Sequence, residues 1–454
     1  MISSLIDKVL VPTGDAIRGI PTRARYRELL ESQWWDPQPL YELQARKLRR
    51  LIQHAYRHTR FYRALLDRHG VTPGMIQEPA DLGRIPPLTK QDVKDCLEDL
   101  VAGGAPPRDL RPQHTGGTTG IPLQFYFDRN TWAMGRAVLY RAFSWGGYRL
   151  GDPLINLVGG SLGGERDPLA RKLGRFVLRK KSLPAFELVK DNLHEYLRAI
   201  RARRAKFLRG YASAVAHLAE LVREEGRQEV RFQAVFPTAE ILTDHQRDLL
   251  AEVFHCQVLD FYGCGEVHGL ASECEQGTLH VADEHVILEL AEEGRPVSAG
   301  QSGEVLLTDL DNLSMPFIRY RVGDAAEAAT QPCPCGRALS PLAKLHGRFN
   351  DMLRTTRGER ISGNFLPHLV GPMVGVQEYQ VVQDRLDHLD LKIVRGKEFE
   401  PRHVATILGE VRSHLGAEME VDVTYVEAIQ RARSQKRRFC ICLIDADKGT
   451  IPSS

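Results

Sequence analysis

The sequence predicts an α/β protein with a largely parallel sheet at its core, a β-rich lobe after it and a small α+β domain at the carboxyl end. Strand and helix patterns alternate from Leu123 to Tyr262, which is the succession that builds parallel sheets. Downstream, two β-rich runs at 284–290 and 303–309 are separated by Gly and Pro, as in antiparallel hairpins. The final segment, of about a hundred residues, mixes strands with one helix and is long enough for a small domain.

Length and composition indicate a globular protein of at least two domains. The chain has 454 residues, 43% of them hydrophobic and 26% charged, with a formal net charge of +3. This length exceeds the usual size of a single core, and the nearly balanced charge does not indicate nucleic acid as the main partner. No segment reaches the roughly 18 to 20 apolar residues of a membrane span, and the amino terminus has no secretory pattern, so we expect the cytoplasm.

The individual elements follow in chain order. Apolar residues recur at spacings of three and four between Leu43 and Asp67, which predicts an amphipathic helix, and Thr89 is placed to cap a helix that begins near Gln91. Within the α/β region the patterns predict strands at 123–127, 153–159, 230–236 and 257–262, and helices at 192–208, 213–225 and 244–254. In the last segment they predict strands at 378–382, 389–394, 421–426 and 438–444, and a helix at 402–415.

The first chemical feature is a loop rich in glycine and threonine. Its residues are Thr115, Gly116, Gly117, Thr118, Thr119 and Gly120. Glycines let a phosphate approach backbone N–H groups closely, and threonine hydroxyls add further donors. No Lys-Ser or Lys-Thr follows the last glycine, which disfavours a P-loop NTPase. The alternative interpretation is a flexible turn before a strand.

Three more motifs follow this loop in order: Phe261–Glu266, Arg319–Asp324 and Gly347–Asp351. In this order the set resembles the adenylate-forming superfamily, in particular its branch of phenylacetate–coenzyme A ligases and capsular polysaccharide proteins. The resemblance spans nearly the whole chain. It implies a large adenylation domain at 1–348, with the β-rich lobe at about 278–346, and a small mobile lid domain at 349–454.

The same resemblance implies a role for each matching residue. Thr115 to Gly120 would cradle the phosphates of ATP, Tyr262 would pack on the adenine, and Glu266 would hold Mg²⁺. Asp324 would bind the ribose hydroxyls, since a carboxylate suits a vicinal diol. Further nucleotide contacts would come from Arg348, Glu240 and Gly263. The plain alternatives are that Tyr262 is a core aromatic, Glu266 a carboxylate at a helix amino terminus, and Asp324 a turn residue.

The chain departs from the superfamily pattern at two points near these motifs. Ile121-Pro122-Leu123 lacks the lysine that often ends the phosphate loop, and Gly265 stands where a threonine usually precedes the Mg²⁺ glutamate. The resemblance also places a catalytic lysine near the carboxyl terminus, where positive charge stabilises the reacting phosphate. The matching residue is Lys436, although Gln435 replaces the usual glycine. The alternative is that 431–438 is a solvated basic face.

The implied reaction joins a carboxylic acid to ATP, giving acyl-AMP and pyrophosphate, and a second nucleophile then takes the acyl group after the lid rotates. The resemblance favours coenzyme A as this acceptor, with a carrier protein or an amine as alternatives, and its branch suggests an aryl acid. A non-catalytic nucleotide-binding relative and a homodimeric assembly also remain open.

Four further residues have the chemistry of a closed metal site. Cys333 and Cys335 are separated by a single residue, and His280 follows Cys274 by six positions. Three thiolates and an imidazole satisfy tetrahedral Zn²⁺, which would then be structural because no open position remains. The alternative is a set of reduced thiols. Cys440 and Cys442 share one face of a predicted strand, so we expect them in a core.

Two other patterns point to different chemistry. Gly159–Gly163 fits the nucleophile elbow of an α/β-hydrolase, with Ser161 as its nucleophile, but nothing downstream singles out the Asp and His partners. A serine hydrolase is therefore the alternative enzyme class. His54 and His58 are four residues apart on a predicted helix but lack the adjacent glutamate of a zincin, so we expect exposed polar side chains.

Overall fold

A computed structural model describes residues 2–104, 110–114, 123–159, 178–185, 187–292, 294–348, 352–358, 360–362, 366, 370, 373, 375–429 and 440–444. The glycine- and threonine-rich loop at 115–120 and the sites predicted at Ser161, Asp351 and Lys436 lie outside these residues. The chain divides into two compact units. The first comprises 1–115, 123–322 and 327–344, and the second 116–122, 323–326 and 345–454. The domain boundaries given above stay predictions.

The first unit begins with helices. These are α1 (Ile2–Leu5), α2 (Val11–Arg18), α3 (Thr22–Ser32), α4 (Pro37–His58), α5 (Arg60–Arg68), α6 (Lys90–Asp95) and α7 (Leu97–Leu100), with a π-helical turn at Ile6–Leu10 and 3₁₀ turns at Pro73–Met75 and Pro79–Arg84. The single helix predicted over 43–67 is two helices, because Thr59 is extended and its side chain caps α5 by accepting from the Tyr62 N–H. The predicted cap at Thr89 is confirmed, since its side chain accepts from the Asp92 N–H.

A 13-stranded sheet forms the core of the described chain. Its strands are β3 (Leu154–Val158), β4 (Lys180–Pro184), β5 (Phe207–Tyr211), β6 (Ala234–Thr238), β7 (Gln257–Val258), β8 (Phe261–Tyr262), β9 (Ala271–Glu273), β10 (Leu279–Val281), β11 (Val286–Glu292), β12 (Arg295–Pro296), β13 (Ser302–Asp309), β14 (Tyr320–Ala328) and β15 (Pro341–Arg348). The order is β12-β11-β13-β14-β15-β10-β9-β8-β6-β5-β3-β4, with β7 beside β6. A separate hairpin pairs β1 (Arg111–His114) with β2 (Gln124–Phe127).

The pairing direction changes along this sheet. Strands β4, β3, β5, β6 and β8 run parallel, as the alternation of helix and strand predicted. From β8 through β9 and β10 to β15 the pairing is antiparallel, and β11 pairs antiparallel with β12 and β13. The β-rich strands are therefore hydrogen-bonded continuously with the parallel ones.

Helices cover both faces of the parallel strands. Helix α8 (Arg129–Trp145) lies on one face, where the Phe143 ring stacks on Phe236 at 4.4 Å between ring centres. The other face carries Leu208 and Val235, which pack in a core shared with three helices. Those helices are Leu193–Arg203, Ala212–Glu224 and Asp244–Phe254. The sequence patterns did not identify α8.

The helix predicted over 192–208 is too long and is corrected here. It ends at Arg203, because Arg204 adopts the left-handed conformation with φ of 48° and closes the helix. Strand β5 follows, and the sequence patterns assigned its first two residues, Phe207 and Leu208, to the helix. Strand β5 then places Arg209 between β3 and β6 in the middle of the sheet.

The second unit has a four-stranded sheet with one helix. The strand order is β20-β19-β18-β21, built from β18 (Val376–Arg385), β19 (His388–Arg395), β20 (Glu420–Tyr425) and β21 (Cys440–Cys442). A short pair joins β16 (Met352–Arg354) and β17 (Arg360–Ser362). Helix Pro401–Leu415 buries Ile407, Val411 and Leu415 against the sheet. Cys440 and Cys442 are both buried, which confirms the prediction of core packing.

Among the described helices, none is both long enough and apolar enough to pass through a bilayer.

Candidate functional site

The loop after β8 carries the first predicted site residues. Strand β8 runs parallel to β6 through the pair Phe261 and Thr238, so the loop starts at the carboxyl edge of the parallel strands. Ligands of open α/β sheets bind at this edge. Tyr262 and Gly263 are half-buried, while Glu266 is only 4% exposed. One short segment therefore carries all three residues at the carboxyl edge of the parallel strands.

A buried tyrosine orients the carboxylate of Glu266. The Tyr320 hydroxyl, on strand β14, donates to Glu266 Oε1 at 2.7 Å. Within the described part of the chain, Oε2 has no hydrogen-bond or ion-pair partner. A carboxylate with one oxygen held and one free has the donor chemistry of a Mg²⁺ ligand. No helix begins at Glu266 in the described loop, so its interpretation as a helix-terminal carboxylate is wrong.

Glu240 has a local structural partner. It follows Ala239, which adopts the left-handed conformation with φ of 66° just after strand β6. Its Oε2 accepts from the Ser213 N–H at 2.8 Å, in the first turn of helix Ala212–Glu224. The carboxylate thus satisfies a donor that the helix cannot satisfy itself. Its predicted contact with a nucleotide stays a prediction.

In the second unit, Asp324 and Arg348 form an ion pair. Nε of Arg348 lies 3.4 Å from Oδ1 of Asp324, and the two side chains are 44% and 15% exposed, respectively. Asp324 lies within strand β14 and Arg348 ends β15, so the interpretation of Asp324 as a turn residue is wrong. The structure therefore brings together two residues that the sequence placed 24 positions apart.

The four predicted metal ligands converge in the first unit. Sγ of Cys274 lies 3.7 Å from Sγ of Cys333, and Sγ of Cys335 lies 3.3 Å from Nε2 of His280. All four ligand atoms fall within 4.8 Å of one another. Tetrahedral Zn²⁺ with bonds of about 2.3 Å to sulfur separates its ligand atoms by roughly 3.8 Å. The four side chains thus form a candidate metal site.

The surroundings of these four residues favour metal binding. Nδ1 of His280 lies 3.0 Å from the Leu339 carbonyl oxygen, which accepts from Nδ1–H and leaves Nε2 directed at the thiols. This arrangement is typical of a metal-ligating histidine. Burial lowers the pKa of His280 and so favours the neutral, ligating imidazole. Arg337 pairs with Glu275 at 3.0 Å and lies over the Trp145 ring beside the cluster.

His285, Asp309 and Asp311 form a second group of candidate ligands, in which the histidine is already hydrogen-bonded through both ring nitrogens. Nδ1 of His285 lies 2.9 Å from Asp311 Oδ2, and Nε2 lies 3.0 Å from the His268 carbonyl oxygen. Both ring nitrogens are therefore engaged, and Lys47 Nζ binds Asp311 at 2.9 Å. Burial alone would lower the pKa of His285, but the charges of Asp309 and Asp311 raise it. This network is a buried ionic core.

Sequence reasoning missed this network and also a group of basic side chains around Tyr140. No pattern could have shown either, because their members lie on different elements. The predicted zinc ligands were visible because two of them share one short motif.

His54 and His58, the other histidine pair, have ring centres 4.5 Å apart; His54 is half-buried and His58 exposed.

Comparisons with known proteins agree with the observed fold. A family model described as the CapK C-terminal domain matches residues 353–442. The chain is 29% identical over 377 residues to a phenylacetate–coenzyme A ligase of Thermus thermophilus, covering 79% of this chain and 82% of that protein. It is 23% identical over 413 residues to protein CapK of Staphylococcus aureus, covering 88% and 89%. A crystal structure of 2-hydroxyisobutyryl-CoA ligase in its postadenylation state superimposes with a TM-score of 0.67 at 23% identity, covering 89% and 90%.

Proposed function

Since the chain belongs to the adenylate-forming superfamily, in its branch of phenylacetate–coenzyme A ligases and CapK, we propose that it is an acid–thiol ligase that activates a carboxylic acid with ATP. The acid carboxylate attacks the α-phosphate of ATP, the bond to the leaving pyrophosphate breaks, and acyl-AMP forms. The thiol of coenzyme A then attacks the acyl carbon, and AMP leaves. A serine hydrolase is not favoured, because it does not account for the ordered motifs. A non-catalytic relative is not favoured, because similar proteins are named as ligases.

The observation that carries this proposal is the Glu266 carboxylate. It is buried, Tyr320 holds one of its oxygens, and the other has no partner among the described residues. Burying a carboxylate is costly unless it binds a cation or hydrogen-bond donors. A Mg²⁺ ion at Glu266 would neutralise the phosphates of ATP as pyrophosphate leaves. We therefore assign Glu266 to Mg²⁺.

The other residues bind and orient the nucleotide in this proposal. Tyr262 packs against the adenine, Gly263 lets the base approach the backbone, and Asp324 accepts hydrogen bonds from the ribose hydroxyls. Arg348 fixes the Asp324 carboxylate through their ion pair and lies close to the ribose and phosphate. The assignments of 115–120 to the phosphates and of Lys436 to the reacting carboxylate rest on the resemblance alone.

The remaining features of the proposal concern metal, acceptor and compartment. The four-residue cluster of Cys274, His280, Cys333 and Cys335 holds a structural Zn²⁺, because its donor set closes a tetrahedron. Coenzyme A is the proposed acceptor, as the names of the similar ligases suggest. The cytoplasm is the proposed compartment, since it keeps such thiols reduced.

An acid-dependent ATP–pyrophosphate exchange assay tests the first half-reaction. The purified protein is incubated with aryl, fatty and amino acids, and activated acids are trapped with hydroxylamine. We expect exchange with at least one acid, and thioester formation when coenzyme A is added. Glu266→Gln should suppress exchange by at least about a hundredfold, the usual cost of removing an electrostatic stabiliser of the transition state.

The matched control is Glu252→Gln, the same change at an exposed position of helix Asp244–Phe254. It should leave exchange unchanged. Exchange that survives in Glu266→Gln would overturn the Mg²⁺ assignment. Intact ATP binding without exchange for any acid would instead identify a non-catalytic relative, and ester hydrolysis lost in Ser161→Ala would identify a hydrolase.

A further inference from the structure

Two basic side chains contact the buried Tyr140 of helix α8, and a third basic side chain lies nearby on strand β5. Nη2 of Arg136 donates to the Tyr140 hydroxyl at 2.5 Å, and Nζ of Lys180 lies 4.3 Å from the centre of the Tyr140 ring. Arg209 lies on β5, on the same face of the sheet as Phe207, which packs against Tyr148. The positive charge of Arg209 also acts on Lys180. We call Arg136, Lys180 and Arg209 the cationic cluster.

The cationic cluster has no carboxylate within ion-pair distance among the described residues. Nε of Arg209 and the hydroxyl of Tyr148 are buried and have no hydrogen-bond partner in the described part of the chain. Asp15 raises the pKa of Arg136 from a distance, but its Oδ2 accepts from the Arg23 N–H. Burial lowers the pKa of Arg209 to about 10. All three cations are partly buried, and partial burial without a counter-charge is costly, so an anion is expected here.

Arg136 and Arg209 lie towards the loop that carries Glu266, whereas Lys180 begins β4 at the amino edge of the parallel strands. A Cβ placed on Gly135 would lie 2.5 Å from Cβ of His268, so α8 touches this loop one residue before Arg136. Arg136 and Arg209 also act electrostatically on His268. Arg209 precedes the carboxyl end of β5 by two residues, at the edge where such sheets bind ligands. Each of the three basic side chains keeps part of its surface open to solvent.

We propose that the acid activated by this protein is a dicarboxylic acid, whose second, non-reacting carboxylate is held by Arg209 and Arg136, with Lys180 supplying further positive charge. This inference rests on the proposed function, since it names the substrate class of the same site. Guanidinium groups bind carboxylates through paired, charge-assisted hydrogen bonds, which give both affinity and orientation. A monocarboxylic acid would leave the cationic cluster without its counter-charge.

Tyr140 offers the competing explanation. Burial alone would raise the pKa of Tyr140, but the charges of Arg136 and Lys180 outweigh it and lower the pKa to about 8. A Tyr140 phenolate would supply the missing negative charge from within the protein. The cluster would then need no anionic substrate. The experiment must therefore measure the ionisation of Tyr140 as well as substrate preference.

The test compares acids of matched length in the ATP–pyrophosphate exchange assay: succinate with butanoate, glutarate with pentanoate, adipate with hexanoate, and 4-carboxyphenylacetate with phenylacetate. We expect kcat/KM to favour one dicarboxylate over its partner by at least about tenfold, because a site built for a polar group rejects an analogue that lacks it. In Arg209→Met this preference should fall by on the order of tenfold to a hundredfold, mainly through KM.

Lys181→Met is the matched control, because Lys181 neighbours Lys180 on β4 but its side chain alternates to the other face. It should keep the dicarboxylate preference. Thermal unfolding of Arg209→Met should be no easier than that of the unmodified protein, because an unpaired buried charge is removed. A purely structural role would instead lower stability and reduce activity with both acids of a pair equally.

Three outcomes would overturn the inference. The first is that every monocarboxylate is activated as well as or better than its dicarboxylate partner, and that Arg209→Met does not change this. That result would refute the second-carboxylate site but would leave the proposed function intact. The second is a preference for monocarboxylates together with a tyrosinate absorption band that disappears in Tyr140→Phe. That result would show that the Tyr140 phenolate neutralises the cationic cluster. Absence of exchange with all eight acids and with those of the broader screen would overturn the proposed function, and this inference with it.

Discussion

The Tyr320 hydroxyl donates a 2.7 Å hydrogen bond to Oε1 of Glu266, and both side chains are buried. The Tyr320 ring packs edge-on against Phe317, with 5.0 Å between ring centres, so packing on one segment fixes the orientation of a carboxylate on another. Tyr320 is thus a positioning residue for the proposed Mg²⁺ ligand. A change at Tyr320 therefore alters the orientation of the Glu266 carboxylate while its charge is kept.

Replacing Tyr320 by Phe removes this hydrogen bond and keeps the ring. We expect the Mg²⁺ concentration required for half-maximal exchange to rise by roughly threefold to tenfold, the value of one hydrogen bond. Exchange is measured against Mg²⁺ concentration at saturating ATP. Tyr196→Phe is the matched control, because Tyr196 donates its own 2.8 Å hydrogen bond to the Pro184 carbonyl oxygen elsewhere in the unit. An equal rise in that control would refute a specific role for Tyr320.

Asp324→Asn tests the proposed ribose contact. The variant keeps the side-chain shape but loses the charge, so we expect KM for ATP to rise by about tenfold or more. Stability should change by less than about 1 kcal/mol, because the partner Arg348 is 44% exposed and such ion pairs are weak. Asp387→Asn, which removes an exposed pair with Arg385 in the same unit, is the control. An unchanged KM would eliminate Asp324 from the nucleotide site.

Metal analysis of the purified protein tests the cysteine and histidine cluster. We expect about one Zn²⁺ per chain, and loss of metal with a lowered unfolding temperature in Cys335→Ser, because structural zinc contributes directly to folding. Cys96→Ser, at a partly exposed thiol on the same unit, should retain both metal and stability. Less than about half an equivalent of Zn²⁺ in the unmodified protein would count against the site.

The buried histidine network predicts a pH-dependent stability difference. The pKa of His285 is higher in the folded protein than in the unfolded protein, where it is near 6.5. The stabilisation that its charge provides is therefore complete below about pH 6.5 and is lost as the pH rises through the pKa of the folded state. His285→Gln should therefore destabilise the protein most at about pH 6, by roughly 3 kcal/mol, and less as the pH rises.

The difference is measured by urea unfolding followed through tryptophan fluorescence. All four tryptophans lie at or before Trp145, so the signal reports the first unit. His217→Gln, which changes a surface histidine paired with Glu220, is the control and should show little effect at any pH. A destabilisation by His285→Gln that is constant between pH 6 and 9 would contradict a charged His285.

Local patterns predicted much of the fold. Helix Asp244–Phe254 and strand β3 lie where the sequence placed them, because their apolar periodicity matches the face each one buries. Strand β5 was missed and its first two residues were assigned to a helix, since the left-handed turn at Arg204 that ends the helix leaves no mark in the periodicity. Helix α8 was missed because it buries residues on most of its circumference, including Met134, Tyr140 and Arg141, and so lacks a clear polar face.

The sequence by itself determined which chemistry is available: the ordered motifs, the carboxylates of Glu266 and Asp324, and the thiols and imidazole of the candidate metal site. Residue type and short spacing suffice there, because the chemical groups belong to the side chains themselves. Only the tertiary structure decided that Tyr320 holds Glu266 and that Lys180 joins Arg136 at Tyr140. Tyr320 and Glu266 lie on different elements, as do Lys180 and Tyr140, so only the packing of the folded chain brings each pair together.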